Sequence, residues 1–307
     1  MTRRAACSFP GAPRQWPSWI VAMLLWVIGR LPAFVLALLG DGLGTLLYRI
    51  ATTRRRVALK NLSVCFPGTP EAERIRIARR HFRALGRSLL DPGFFWWASA
   101  SRLKRLVRIH GRAHYDEALA SGHPIILLAP HFVAIQAGVT LSIERPVATV
   151  YRPLDDVVLG TLYARQLARF NGRLIARPDG IRAALRALKE RLPLYYLPDQ
   201  DLGRDHAVFA PFFGVPAATT TALARLARAT GAVVLPCCSR QRRFGGYEIL
   251  IGPALAGFPS GDDLKDAGRM NEAIERAVAT MPEQYFWVHK RFKTRPISED
   301  ADFYSAS

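Results

Sequence analysis

His131 is the side chain in this sequence best placed to do chemistry. It ends Pro124-Ile-Ile-Leu-Leu-Ala-Pro130, an apolar run bounded by prolines, and a carboxamide, Gln136, follows five positions later. Imidazole can take a proton from an alcohol near neutral pH without a large pKa shift, so a histidine at the lip of a buried strand suits a general base. The competing reading is a structural histidine, hydrogen-bonded where the strand ends. Arginines recur at the ends of other strand-like runs: Arg152 in Tyr151-Arg152-Pro153, Arg169 two before Asn171, and Arg177 closing Gly172-Arg-Leu-Ile-Ala-Arg177. Loops at the ends of parallel strands converge on one crevice, where guanidinium groups can hold phosphate or stabilise an oxyanion; otherwise these are surface arginines. Leu197-Pro198-Asp199-Gln200-Asp201-Leu-Gly203 sets two carboxylates astride a turn. A D-x-D pattern suggests Mg²⁺, and the turn chemistry of Asp and Gly accounts for it equally well.

The elements that must position these groups alternate from residue 108 onward. Strand-like runs fall at 124–129, 147–151, 173–176, 194–197, 232–237 and 247–251, and helix-like runs at 133–142, 157–170, 180–191, 220–230 and 264–280. The helix near 220 has threonines at 219–221 to cap its start and Gly231 just past its end. Such alternation predicts an α/β fold: one mostly parallel-sheet domain over 116–307. Residues 53–115 read as a helical lead-in, with an acidic first turn at Pro70-Glu71-Ala-Glu73 and a break at Asp91-Pro92-Gly93. Phe94-Phe95-Trp96-Trp97 suits a core or a membrane interface better than a base-stacking platform, because no regular element points four neighbours one way.

The balance of 43 Lys+Arg against 24 Asp+Glu, a formal +19, calls for anionic partners. Nothing beyond charge supports nucleic acid as one of them, since no recognised nucleic-acid module is present. Cys7, Cys65, Cys237 and Cys238 show no C-x-x-C spacing, which predicts a reducing compartment with neither a disulfide framework nor a zinc site. Patterns for nucleotide triphosphatases, serine hydrolases, zinc proteases and dinucleotide binding are absent. Residues 1–52 read as a membrane-anchoring segment. Trp19 to Leu39 just reaches the roughly 20 apolar residues that a spanning helix needs, with Arg30 and Pro32 inside it, and Arg54-Arg55-Arg56 follows. Spanning once and lying in the interface are both compatible with that pattern.

A strand ending in His, then G-x-x-[IF]-x-R, then an acidic turn after proline, then a strand with an internal proline (Val233-Val-Leu-Pro236) resembles the four blocks of the lysophospholipid acyltransferase superfamily. More narrowly, Asn61-Leu-Ser-Val-Cys65-Phe-Pro67, Pro198-Asp199-Gln-Asp201-Leu-Gly203, Phe209-Ala-Pro-Phe-Phe-Gly214 and Pro282-Glu283-Gln-Tyr-Phe-Trp287-Val-His289-Lys-Arg291-Phe-Lys293-Thr294-Arg295-Pro296 resemble the late acyltransferases of lipid A biosynthesis. The resemblance implies transfer of a fatty acyl chain from an acyl thioester, on acyl carrier protein or coenzyme A, to a hydroxyl of a phosphorylated membrane glycolipid. It places the reaction at the cytoplasmic face of the bacterial inner membrane, against an anionic surface, with no cofactor and no metal. It also implies His131 as base, Arg152, Arg169 and Arg177 as phosphate-holding residues, and Asp199, Asp201 and Gly203 as acceptor-positioning residues.

One position departs from the family pattern, which is H-x-x-x-x-D/E. Gln136 stands where the carboxylate belongs, and a carboxamide can orient imidazole but supplies no charge to the imidazolium. Three readings follow: a working enzyme with a neutral orienter or a carboxylate borrowed from Asp199, Asp201 or Asp155; an enzyme for a different membrane lipid; or a weakened homologue that binds lipid or carrier protein.

Overall fold

The computed structural model describes residues 13–176, 180–205, 207–296 and 303–304. Strands form where the apolar runs are short, and one seven-stranded sheet collects them: β1 (Val107–His110), β2 (Ile125–Leu128), β3 (Ala148–Tyr151), β4 (Arg173–Ala176), β5 (Leu194–Tyr196), β8 (Val233–Gln241) and β9 (Tyr247–Ile251), with β6 (Ala207–Phe212) and β7 (Val215–Thr220) pairing apart from it. Its order is β1-β9-β8-β2-β5-β3-β4, and every neighbouring pair is parallel except the β8–β9 hairpin. All four residues of β2 are buried, and they alternate faces: Ile126 and Leu128 pack into one apolar cluster, Ile125 and Leu127 into the other. A strand covered on both sides is why this run carries no polar residue.

Among the described residues ten α-helices accompany the sheet: α1 (Trp16–Ile28), α2 (Ala33–Ile50), α3 (Thr52–Cys65), α4 (Glu71–Phe95), α5 (Ala100–Leu106), α6 (Arg112–Ala120), α7 (Val157–Leu167), α8 (Gly180–Lys189), α9 (Ala222–Thr230) and α10 (Asp263–Thr280). One face of the sheet packs on α3, α8, α9, α10 and the first half of α4, the other on α5, α6, α7 and the 3-10 segment Ile135–Ile143. All six expected strands are present, and so are the five later helix-like runs, the first of them as the 3-10 segment Ile135–Ile143. Gly231 caps α9 in the left-handed conformation, whereas the cap at its start is the Thr220 hydroxyl accepting from the Ala222 N–H at 3.2 Å.

Three expectations are corrected. In the apolar stretch 19–39 the kink expected at Arg30 and Pro32 is a full break between two helices: the chain turns at 29–32, where Arg102 donates to the carbonyls of Gly29 and Leu31 at 2.6 and 2.7 Å. Of the described helices only α2, with 18 residues and a mean hydropathy of 1.5, is long and apolar enough to cross a membrane. Its Asp41 takes both arms of Arg87 at 2.6 Å, fixing it on α4. Secondly, α4 does not break at Asp91-Pro92-Gly93. A proline removes one helical donor, but packing outweighs that loss here. Gly93 lies so close to α1 that a Cβ on it would sit 2.4 Å from the Leu25 carbonyl oxygen, and Asp91 is buried with the Tyr247 hydroxyl donating to it at 2.6 Å. Thirdly, the helical lead-in contains a strand, β1, and the Phe209–Gly214 motif folds as the β6–β7 hairpin, whose two turn residues, Phe213 and Gly214, both have positive φ. The aromatic run resolves toward the core, with Phe94, Phe95 and Trp96 buried.

Candidate active site

Strands β2 and β5 are parallel neighbours, so the residues just past their C-terminal ends meet. Ala129 N–H still donates to the Tyr196 carbonyl at 2.8 Å, and one step beyond the ladder His131 meets Asp199. Asp199 Oδ2 accepts the His131 backbone N–H at 2.8 Å, and Oδ1 accepts from Nδ1 at 2.6 Å. A carboxylate only accepts, so Nδ1 carries the proton and Nε2 keeps its lone pair. Burial works to raise the Asp199 pKa, but the imidazole and its two hydrogen bonds overcome this and hold the carboxyl below the usual range. The exposures differ accordingly, 2% for the Asp199 side chain against 25% for that of His131. The backbone around the histidine is held from the C-terminal motif: Val133 N–H donates to the Gln284 carbonyl at 2.8 Å, and Phe286 N–H to the His131 carbonyl at 2.9 Å.

His131 opens on a cavity of about 810 Å³ along the C-terminal edge of the sheet. Its wall is mostly apolar and has two wings. Leu25, Trp96 and Tyr163 line one side, and Ile181, Ala184 and Leu226 the other, with Gln136 and Gln200 between them. Arg152 is the one lysine or arginine among the described residues of the wall, and its side chain is exposed at the rim. Asp205 is exposed in the same wall, so the edge carries one charge of each sign, and a base at the waist of an apolar cavity can bring a polar reacting group and hydrocarbon together.

The other expected site residues are placed differently. Gln136 shares the cavity wall with His131 but makes no hydrogen bond to it; the carboxylate on the imidazole comes from the borrowed group, Asp199. Arg169 is directed away from the cavity, donating to the carbonyls of Phe95 and Ala98 at 3.0 and 2.7 Å, and the burial this entails lowers its pKa. Arg177 lies outside the described residues. Asp201 is buried and holds the C-terminal motif: its Oδ1 accepts from the Thr294 hydroxyl at 2.8 Å and from Gly203 N–H at 3.0 Å, and its Oδ2 from Thr294 N–H at 2.8 Å. Gly203 has φ +100, which an L side chain rarely adopts. Both carboxylates of D-x-D are thus engaged within the protein.

The C-terminal motif is a strap. Asn61 donates to the carbonyls of Trp287 and His289, Arg291 is buried and donates to the Ala218 carbonyl and the Thr219 hydroxyl, and Arg295 donates to the Pro216 carbonyl. Two buried histidines belong to this framework. His289 Nε2 accepts from Asp201 N–H at 3.1 Å, and His81 Nδ1 lies 3.1 Å from the Glu283 carbonyl; burial lowers both pKa values from the ordinary 6.5 to about 4. An unfolded chain protonates these rings below pH 6.5, while the folded one refuses until about pH 4, so stability falls as pH drops through that window. We expect the melting temperature to decline between pH 7 and pH 4.5, and His81→Leu to flatten the decline while lowering its upper plateau; an unchanged slope counts against a neutral His81.

The profile of the bacterial lipid A biosynthesis acyltransferases matches residues 10–294. The chain belongs to this family. It is 34% identical over 287 residues to the lipid A biosynthesis lauroyltransferase of Escherichia coli (strain K12), covering 92% of this chain and 94% of that protein. It is 33% identical to the palmitoleoyltransferase and 32% identical to the myristoyltransferase of the same organism, covering 94% of this chain in each case and 95% and 90% of those proteins. The molecule is therefore an acyltransferase of lipid A biosynthesis, and the sheet edge at His131 is its candidate active site.

Proposed function

We propose that the protein transfers a fatty acyl chain from acyl carrier protein to a hydroxyl of a phosphorylated lipid A precursor at the cytoplasmic face of the membrane. The observation that carries this reading is the His131–Asp199 pair opening into a large apolar cavity. Nε2 of His131 takes the proton of the acceptor hydroxyl, and the oxygen attacks the thioester carbonyl carbon. The tetrahedral oxyanion collapses with cleavage of the C–S bond, and the leaving thiolate takes the proton back from Nε2. Asp199 stabilises the imidazolium in between. No acyl-enzyme forms. Backbone N–H groups or Arg177 stabilise the oxyanion, and Arg152 holds a phosphate at the rim. The acidic carrier protein and the anionic membrane suit the +19 charge. Contact with the bilayer runs through α1 and α2, where Trp16, Trp19, Ile20, Met23, Leu24 and Phe34 are exposed, an apolar surface that suits the interface.

The test is acyl transfer from radiolabelled acyl carrier protein to a Kdo-bearing lipid A precursor in detergent, with acyl-coenzyme A as a parallel donor. Because His131 already has its carboxylate, Gln136→Glu is expected to change the rate by less than about tenfold. A native chain that is inert while Gln136→Glu turns over would mean that its role is binding, or a different acceptor.

A further inference from the structure

α8 carries a charge pattern that the reaction described above leaves unused. Its buried residues, Ala184, Ala187 and Leu188, face the core, and at 3.6 residues per turn Arg182, Arg186 and Lys189 fall within about 60° of arc on the opposite side, all three exposed. None of them pairs with an acid or a carbonyl among the described residues. The neighbouring cations are neutralised: Arg225 and Arg228 on α9 both reach Asp263, at 2.9 and 3.3 Å, and Glu190, one helical turn past Arg186, takes Arg173 instead. Like charges one turn apart destabilise a helix, so nothing inside the chain rewards this stripe. Its place follows from chain direction. β4 ends at the catalytic edge and α8 runs back from it, so the stripe starts beside the cavity that holds His131. Gly180, Ile181 and Ala184 line that cavity, and Ile181 is 57% exposed, where the wall meets solvent.

Resting on the proposed function, we infer that the stripe of Arg182, Arg186 and Lys189 docks the acidic surface of acyl carrier protein and aims its thioester arm past Ile181 toward His131. Unpaired cations beside the cavity complement an acidic protein, steer its approach and fix its orientation while the arm alone enters. A bilayer is the other anionic surface, and the geometry disfavours it here. A helix lying in the interface needs an apolar face to bury beside its basic one. The apolar face of α8 is packed into the core, and Ile181 is the one large apolar side chain it exposes. The exposed tryptophans sit on α1, whose Leu25 lines the other wing of the cavity. Carrier protein and membrane thus meet the cavity from different sides.

The experiment compares two donors, lauroyl acyl carrier protein and lauroyl-pantetheine, which is the same thioester without the protein, on the native chain and on the double variant Arg182→Glu with Arg186→Glu. The variant is expected to raise KM for the carrier-borne donor about tenfold or more, leaving kcat and the pantetheine reaction as they were, because reversed charges face a like-charged partner. An unchanged KM, or an equal rise for both donors, overturns the inference. So does a loss of binding to phosphatidylglycerol vesicles with KM unchanged, which assigns the stripe to the membrane. Should charge reversal prevent folding, Arg182→Gln with Arg186→Gln reads the same shift at smaller size. Calorimetric titration with holo acyl carrier protein at low salt separates the two failures. A native chain inert toward both donors overturns the proposed function, whereas native and variant chains that bind the carrier equally, or a native chain that does not bind it, overturn the inference.

Discussion

Asp199→Asn lowers kcat for acyl transfer by roughly 10³- to 10⁴-fold, close to the loss in His131→Ala, with little change in thermal stability. The reason is how many donors the carboxylate serves. Asp199 accepts from two N–H groups of the same residue, the backbone N–H of His131 on one oxygen and Nδ1–H on the other. An asparagine has one oxygen and one NH₂. With the oxygen kept on the backbone, the NH₂ faces Nδ1, which must then accept, and the proton moves to Nε2. The ring then turns a donor toward the cavity instead of a base. The alternative flip sets the NH₂ against the backbone N–H and leaves two donors facing each other in a site where Asp199 is 2% exposed. Either way the imidazolium loses its counter-charge. Single-turnover transfer from acyl carrier protein checks this, and a rate within about tenfold of native would remove Asp199 from the mechanism.

How far this pair is legible in the sequence depends on which half is considered. His131 is legible because β2 is buried on both faces and therefore reads as an unbroken Ile and Leu run whose polar terminus stands out. Asp199 is visible as a residue after a strand, but its partnership is not. The two lie 68 residues apart, and they meet only because the crossovers place β5 beside β2. Spacing draws attention to Gln136, which shares the cavity, while sheet order supplies the carboxylate. A signal does exist: Pro130-His131 and Pro198-Asp199 stand in the same relation to the strands before them. The break at 29–32 is signalled by Arg30 and Pro32, whereas the partner that holds it, Arg102 on the Gly29 and Leu31 carbonyls, is far away in sequence. Arg169 shows the reverse case: it stands not at a strand end but in the 3-10 turn Arg169–Asn171 between α7 and β4, and its donors are taken by carbonyls of the helical lead-in.

The C-terminal motif is recognisable in the sequence as a signature, and Trp287→Ala tests what it does in the fold. Trp287 is 1% exposed, lies edge-on to Tyr285 with ring centroids 5.0 Å apart, packs against Phe66, and donates from Nε1 to the Pro282 carbonyl at 2.6 Å. Removing the indole leaves a cavity and an unpaired carbonyl, a loss of about 3–5 kcal/mol. For a chain of this size that is a fall of roughly 5–8 °C in melting temperature. Trp287→Phe keeps much of the packing and loses the hydrogen bond, so its drop is expected to be smaller, about 1–3 kcal/mol. The effect should also reach catalysis. Gln284 and Phe286, just before the tryptophan, hold the backbone of Val133 and His131, so a loosened strap shifts Nε2 relative to the bound thioester. A misplacement of about 1 Å is enough to reduce kcat by about 10²-fold. Well below its own melting temperature, Trp287→Ala is therefore expected to show a lower kcat than Trp287→Phe. A folded alanine variant melting within about 2 °C of native, with native kcat, would show that the strap neither supports the core nor positions the base.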